Sequence, residues 1–170
     1  RRQLDFFTPE HRALVEKAFQ EAGVPFHCWR PVPIDPDCIG EWAEKTRPEI
    51  GHAIVSRPGG DGDLDFERRL YACRRRIEAE AAKADDLGDL YVVSLSGRTI
   101  VYKGLLMADQ LGRFYKDLQD PRYATALAVY HQRYSTNTTP TWRRAQPFRL
   151  LAHNGEINTL QGNVNWMKAR

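Results

Sequence analysis

Two apolar runs, each closing in a cluster of polar residues, constrain this chain more than any other feature. Ala124-Thr125-Ala126-Leu127-Ala128-Val129-Tyr130 leads into His131-Gln132-Arg133-Tyr134-Ser135-Thr136-Asn137. Phe148-Arg149-Leu150-Leu151-Ala152 leads into His153-Asn154-Gly155-Glu156-Ile157-Asn158-Thr159. Runs of this kind read as strands. Arg133 and Asn154 stand 21 positions apart, which leaves room for neighbouring strand ends that share one mouth. Polar loops on a rigid scaffold are where binding and catalytic groups gather. The Arg133 guanidinium can grip a carboxylate through two parallel charge-assisted hydrogen bonds. Asn154 offers a side-chain amide, and Gly155 a backbone N–H that a ligand can approach without meeting a Cβ. Side by side, those two donors are the parts of an oxyanion hole, each worth about 3–4 kcal/mol in acyl transfer. The pair lacks a nucleophile.

At 170 residues the chain has the size of one domain or a piece of one. Its apolar fraction of 42% supports a real core and excludes a disordered chain. Its 25 Lys and Arg are nearly matched by 22 Asp and Glu, which argues against a nucleic-acid surface defined by charge. Cys28, Cys38 and Cys73 form no C-x-x-C pair. They read as reduced structural thiols, with no zinc or iron–sulfur framework in this segment. No apolar run approaches the roughly 18 residues that span a membrane. The first residues hold neither a signal-peptide core nor an initiator Met, and the last stop inside a helical pattern. Both ends read as cuts, so the expectation is a fragment of a longer protein.

Along the chain, Thr8-Pro9 predicts a helix start and Gly23 its end, giving a helix over residues 8–22. A strand is expected over 24–29, a short helix after Asp35-Pro36 with Ile39, Trp42 and Ala43, and a second strand over 50–56. Residues 64–84 carry the longest helical pattern, with Phe66, Leu70, Cys73 and Ile77 on one face. Its Arg68, Arg69, Arg74, Arg75 and Arg76 alternate with Glu67, Glu78 and Glu80, and read as a solvated, ion-paired face rather than a phosphate site. Residues 89–95 and 99–102 predict two strands around the turn Ser96-Gly97-Arg98. A helix is expected over 105–118, then the two strands 124–130 and 148–152, and a last helix over 157–170. The order αβαβαββαββα makes this an α+β chain. His131 and His153 stand at strand ends but lack a third metal ligand at suitable spacing, so they read as packing residues and no metal is expected.

The stretch Arg133-Tyr134-Ser135-Thr136-Asn137-Thr138 is followed by Trp142, Ala145-Gln146-Pro147 and His153-Asn154-Gly155-Glu156-Ile157-Asn158-Thr159. It closes in Gly162-Asn163, Asn165-Trp166-Met167 and Ala169-Arg170. This pattern closely resembles the glutamine amidotransferase domain at the start of the glutamate synthase large subunit. The resemblance reaches back through Thr99-Ile100-Val101-Tyr102-Lys103-Gly104, Ser94-Leu95-Ser96, Phe66-Glu67-Arg68 with Leu70-Tyr71, and Arg30-Pro31-Val32-Pro33, so it covers most of the chain. Tyr134 stands where such domains commonly have Phe, Gly51-His52 where a Gln is usual, and Gly104-Leu105-Leu106 where Gly-Met is usual.

The resemblance implies the four-layer αββα sandwich of N-terminal-nucleophile (Ntn) hydrolases, incomplete at both ends, with residues 1–170 forming part of a single glutaminase domain. The implied reaction is hydrolysis of L-glutamine by a cysteine at the first position of the mature protein, with its own α-amino group as base. Asn154 and Gly155 would form the oxyanion hole, Arg133 would hold the substrate α-carboxylate, and Thr136 would line the same pocket. A carboxylate for the substrate amino group is expected C-terminal of Arg170. With the nucleophile strand and all downstream synthase domains outside the segment, the fragment alone is expected to be inactive. No cofactor is expected on residues 1–170. FMN and an iron–sulfur cluster of the 3Fe-4S type would belong to the downstream domains, where channelled ammonia aminates 2-oxoglutarate reductively to L-glutamate. The implied partners are L-glutamine, those downstream domains, and a small NAD(P)H-oxidising subunit or ferredoxin, with no nucleic acid and no membrane. The implied compartment is the cytoplasm, or the plastid of a photosynthetic eukaryote. Two alternatives stand beside this reading. One is another class II amidotransferase, amidophosphoribosyl- or amino-sugar-forming, and the other is a non-catalytic glutamine-binding module.

Overall fold

A computed structural model of the protein describes residues 8–84, 86–134, 138–147 and 160–170. The first helix, α1 (Pro9–Glu21), begins at Thr8, whose hydroxyl accepts from His11 N while His11 Nδ1 accepts from Thr8 N at 3.1 Å. This is a reciprocal capping box with a histidine in the place usually held by Glu or Gln. His11 Nε2 lies 3.4 Å from Asp89 Oδ1, which brings residue 89 next to the start of the helix. At the other end Gly23 takes φ +64°, and the N–H groups of Gly23 and Val24 return to Gln20 O and Phe19 O. That double closure is a Schellman motif, and it needs a residue without a Cβ at the left-handed position.

The chain then forms β1 (Phe26–Pro31), the short helix α2 (Glu41–Lys45) after a 3₁₀ turn at Pro36–Cys38, and β2 (Gly51–Val55). The strands pair antiparallel, with Cys28 opposite Ile54, Trp29 opposite Ala53 and Arg30 opposite His52. A bulge falls between Phe26 and Cys28. The long helix α3 (Asp63–Ala81) lies against α1. Leu70, Cys73 and Ile77 of α3, the spacing that the sequence predicts, bury against Val15, Ala18, Phe19 and Val24. Each such side chain removed from water stabilises the fold by about 1.5–3 kcal/mol. The α3 arginines are paired: Arg68 with Asp65, Arg69 with Asp61, Arg74 and Arg75 with Glu78, and Arg76 with Glu21.

A second core gathers Val32, Cys38, Ala43, Leu105, Phe114, Tyr115 and Trp142. The helix expected over 105–118 is cut down to α4 (Leu111–Phe114) and a 3₁₀ turn at Lys116–Gln119. The reason is competition for backbone partners. Phe114 O accepts from Asp35 N at 2.8 Å, Lys116 N donates to Pro33 O at 3.0 Å, and Tyr115 bridges Ile34 in extended conformation. A residue drawn into that bridge cannot continue a helix.

Two further expectations need correction. Residues 89–95, 99–102 and 124–130 form no strands, and the sheet of the described residues has two strands. Local alternation favours extended chain, whereas a strand also requires a partner edge that the local sequence does not specify. The turn at 96–98 is held instead by α3, where the Glu67 carboxylate accepts from the Ser96 hydroxyl at 2.8 Å and from Gly97 N at 2.7 Å. Cys28 is exposed, so only Cys38 and Cys73 pack in cores. The last helix, α5, runs over Leu160–Ala169. The expected strand at 148–152 and the expected helix start at 157–159 lie outside the described residues.

Candidate functional site

Residues 103–106 form a hub onto which two other segments are fastened. Lys103 is only 8% exposed, and its ammonium donates to Arg143 O at 2.8 Å and to Ala145 O at 3.0 Å. Burial, and to a lesser extent the Arg143 charge, push the Lys103 amine down to about 8. The Tyr91 ring lies 5.6 Å from the Lys103 ammonium and 5.8 Å from the Arg143 guanidinium. Burial pushes the Tyr91 hydroxyl up to about 12. The Lys103 carbonyl accepts from the buried Tyr115 hydroxyl at 2.7 Å.

Next along the hub, Gly104 lies under the indole of Trp142. A Cβ at residue 104 would stand 2.4 Å from Trp142 Cζ3, so that ring position requires glycine. Trp142 Nε1 donates to Ala43 O at 3.0 Å, and its ring packs 5.6 Å from that of Phe114. Residues 141–145 close a turn in which the N–H groups of Arg144 and Ala145 both reach Thr141 O at 3.0 Å. The Gln146–Pro147 peptide that follows is cis. From the other side, the Tyr134 hydroxyl lies 2.9 Å from Leu106 O and 3.3 Å from Gly104 O. A phenylalanine at 134 would fill the same space without either bond.

Of the residues that the sequence singles out, Arg133 is exposed, and its backbone N–H donates to His131 Nδ1 at 3.3 Å. It sits one residue from the Tyr134 anchor. Thr136, Asn154, Gly155 and His153 lie outside the described residues. The described structure therefore brings the Arg133 neighbourhood to the hub and gives no geometry for the oxyanion-hole pair. Lys103 was part of the recognised motif but carried no assigned role. The signal in the sequence was a lysine set between Val101-Tyr102 and Gly104-Leu105-Leu106, a charge inside an apolar stretch.

A cavity of about 390 Å³ is lined by β2 and by residues 89–96 and 99–103, together with Phe19, Ile77 and Trp142. Beside it, Arg30 on β1 makes two bonds to Asp117, at 2.9 and 2.5 Å, and Tyr102 donates to the same carboxylate at 3.0 Å. These donors hold the Asp117 carboxyl below the usual carboxylate range, the Arg30 bond first among them. His52, 3.2 Å from Arg30 Nη1, is lowered chiefly by burial. Arg133 does not line this cavity.

No group of three or more His, Cys, Asp or Glu among the described residues could hold a metal. Cys28 lies on β1, Cys38 in a 3₁₀ turn and Cys73 on α3, and burial pushes the Cys73 thiol up to about 11.

Comparison with known proteins places the chain in a family. The family model for glutamine amidotransferases class-II matches residues 6–170. The chain is 56% identical over 158 residues, 93% of its length, to a glutamate synthase [NADPH] large chain of Azospirillum brasilense. It is 49% identical over 161 residues, 95% of its length, to a chloroplastic ferredoxin-dependent glutamate synthase of Oryza sativa subsp. japonica. A glutamate synthase [NADPH] large chain of Bacillus subtilis is 49% identical over 143 residues, 84% of this chain. The match takes up 10%, 10% and 9% of those three relatives, so the chain spans about a tenth of their length. The chain belongs to the class II glutamine amidotransferases, a family of the Ntn-hydrolase fold.

Proposed function

We propose that residues 1–170 are part of the glutaminase domain of a glutamate synthase, and that this domain takes up the four-layer αββα arrangement in the complete protein. The observation that carries the reading is the 56% identity to a glutamate synthase large chain across 93% of this chain. A relative of another reaction class would not be expected to share the whole segment between the Arg133 and Asn154 clusters.

In this reading L-glutamine enters with its α-carboxylate on the Arg133 guanidinium, a bidentate grip that Lys could not reproduce. Thr136 lines the same pocket. A cysteine thiolate attacks the side-chain amide carbon, and the resulting oxyanion is held by the Asn154 side-chain N–H and the Gly155 backbone N–H. The amide nitrogen leaves as ammonia, and water releases glutamate from the thioester. The nucleophile of this reading lies outside residues 1–170. Cys38 and Cys73 are buried, Cys28 lies within β1, and none carries the free α-amino group that serves as base. The segment by itself is therefore expected to be inactive.

The ammonia would then be channelled to a synthase site that converts 2-oxoglutarate to L-glutamate. FMN and a 3Fe-4S cluster would supply the redox chemistry in other domains, with a small NAD(P)H-oxidising subunit or ferredoxin as electron source. The printed names of the relatives include both NADPH and ferredoxin enzymes. Several are named chloroplastic, so the plastid stands beside the cytoplasm in this reading. Among the described residues no helix is long and apolar enough to cross a membrane.

The test is glutaminase activity of the complete protein with Asn154→Ala and Arg133→Ala. Asn154→Ala should lower kcat by roughly 100-fold or more, and Arg133→Ala should mainly raise KM for glutamine. Wild-type kinetics in both variants would mean that these residues do not form the glutamine site.

A further inference from the structure

We propose that Lys103 is a positioning residue for glutamine hydrolysis. Its ammonium fixes the turn at 141–145 that joins the two site segments, while the adjoining carbonyls of Gly104 and Leu106 fix the Arg133 segment through Tyr134. The inference rests on the glutaminase reading above and adds to it a residue that neither touches substrate nor belongs to the oxyanion hole.

Two observations carry it. First, the geometry is convergent. Within four consecutive residues, 103–106, the chain supplies a donor to Arg143 O and Ala145 O and acceptors for the Tyr134 hydroxyl. Arg133 directly precedes Tyr134, and Ala145 precedes Asn154 by nine positions in the chain. A shift of residue 103 would therefore move the anchor of the Arg133 segment and the turn at 141–145 from which the chain runs on toward Asn154. Second, a charge is an unfavourable choice for packing alone. An ammonium that is only 8% exposed costs free energy unless its donors are satisfied, and an apolar side chain of the same length would fill the space without that cost. What an apolar side chain cannot do is draw two backbone carbonyls to one point. Lys103 converts the position of a turn into two directional bonds, and the Tyr91 ring beside the ammonium offers it a further favourable face.

Catalytic groups must be held close to their productive geometry, and a displacement of about 1 Å can cost roughly 100-fold in rate. A positioning role therefore predicts a loss that falls on the chemistry and not only on the amount of folded protein. In the complete enzyme, Lys103→Met keeps the length and removes the donors. Its glutaminase kcat/KM per folded molecule should fall roughly ten-fold or more, with kcat reduced. Lys103→Arg, which keeps charge and donors, should recover part of that loss. Wild-type kinetics in folded Lys103→Met, alongside an impaired Asn154→Ala, would overturn the positioning role and leave the site reading intact. Wild-type kinetics in both variants would overturn the site reading and this inference with it. Where Lys103→Met does not fold, Lys103→Gln, with an N–H donor on a shorter neutral chain, decides. Reduced kcat supports positioning, and unchanged kcat overturns it.

Discussion

Around Phe19 the chain is held by repeating backbone bonds: thirteen residues of α1, nineteen of α3, the antiparallel β1–β2 pair and the Schellman closure at Gly23. Around Phe114 single side chains take over that part. Lys103, Tyr115 and Trp142 each reach a backbone carbonyl from a buried position, and Tyr134 does so from the surface. In the first region the loss of one bond leaves its neighbours in the same ladder. In the second, each of these side chains joins a different pair of segments. Regular structure spreads a perturbation over many weak links, whereas an irregular region places it on a few.

Truncation of the two central rings tests this contrast most severely. Phe19→Ala and Phe114→Ala remove side chains that are 1% and 0% exposed, and each should cost about 3–5 kcal/mol in urea unfolding. Only Phe114→Ala should also lower glutaminase activity per folded molecule of the complete protein, because its ring packs on Trp142 and Tyr115. Equal activity in the two variants would erase the distinction.

The next contrast is between two glycines. Gly104→Ala must push the Trp142 indole aside and should cost about 1–3 kcal/mol, with an altered tryptophan signal in near-UV circular dichroism. Gly23→Ala meets only Arg69 Nη1, at 3.7 Å, so its penalty comes from backbone at positive φ. It should cost about 1–2 kcal/mol and leave the tryptophan signal unchanged.

The smallest effect is expected where the two regions touch, at the Arg30–Asp117 pair. Arg30 is partly exposed, so Asp117→Asn should cost only about 1 kcal/mol near neutral pH. The folded-state carboxyl lies below its ordinary value, so its contribution is present above about pH 4 and is lost as pH falls through the folded value. Thermal melts of wild type and variant should therefore converge in acid. A gap that persists there would assign the effect to shape rather than charge.

The difference between the regions also explains what the sequence made legible. The limits of α1 follow from Thr8-Pro9 and Gly23, and the buried face of α3 from Leu70, Cys73 and Ile77, because caps and helical periodicity are local signals. The helix expected over 105–118 stops at Phe114 because α4 is ended by bonds to Pro33, Ile34 and Asp35, about 80 positions away in sequence. Residues 89–95 and 124–130 carry strand-like composition, and no partner edge meets them among the described residues. The functional reading came from a different source, the linked pattern of specific residues between Arg133 and Arg170. That pattern identifies the family without specifying the backbone path between its parts. Lys103 was overlooked for the same reason, since its partners are carbonyl oxygens that leave no mark in the sequence.

Those carbonyl partners bear on how such a region can change through descent. An anchor that grips main-chain oxygens is indifferent to the side chains that those residues carry, so the exposed position 143 can be exchanged while the attachment survives. Gly104 and Trp142 have no such freedom: a larger residue at one requires a smaller one at the other. Drift should therefore pass unnoticed at position 143 and be paired at the stacked ones.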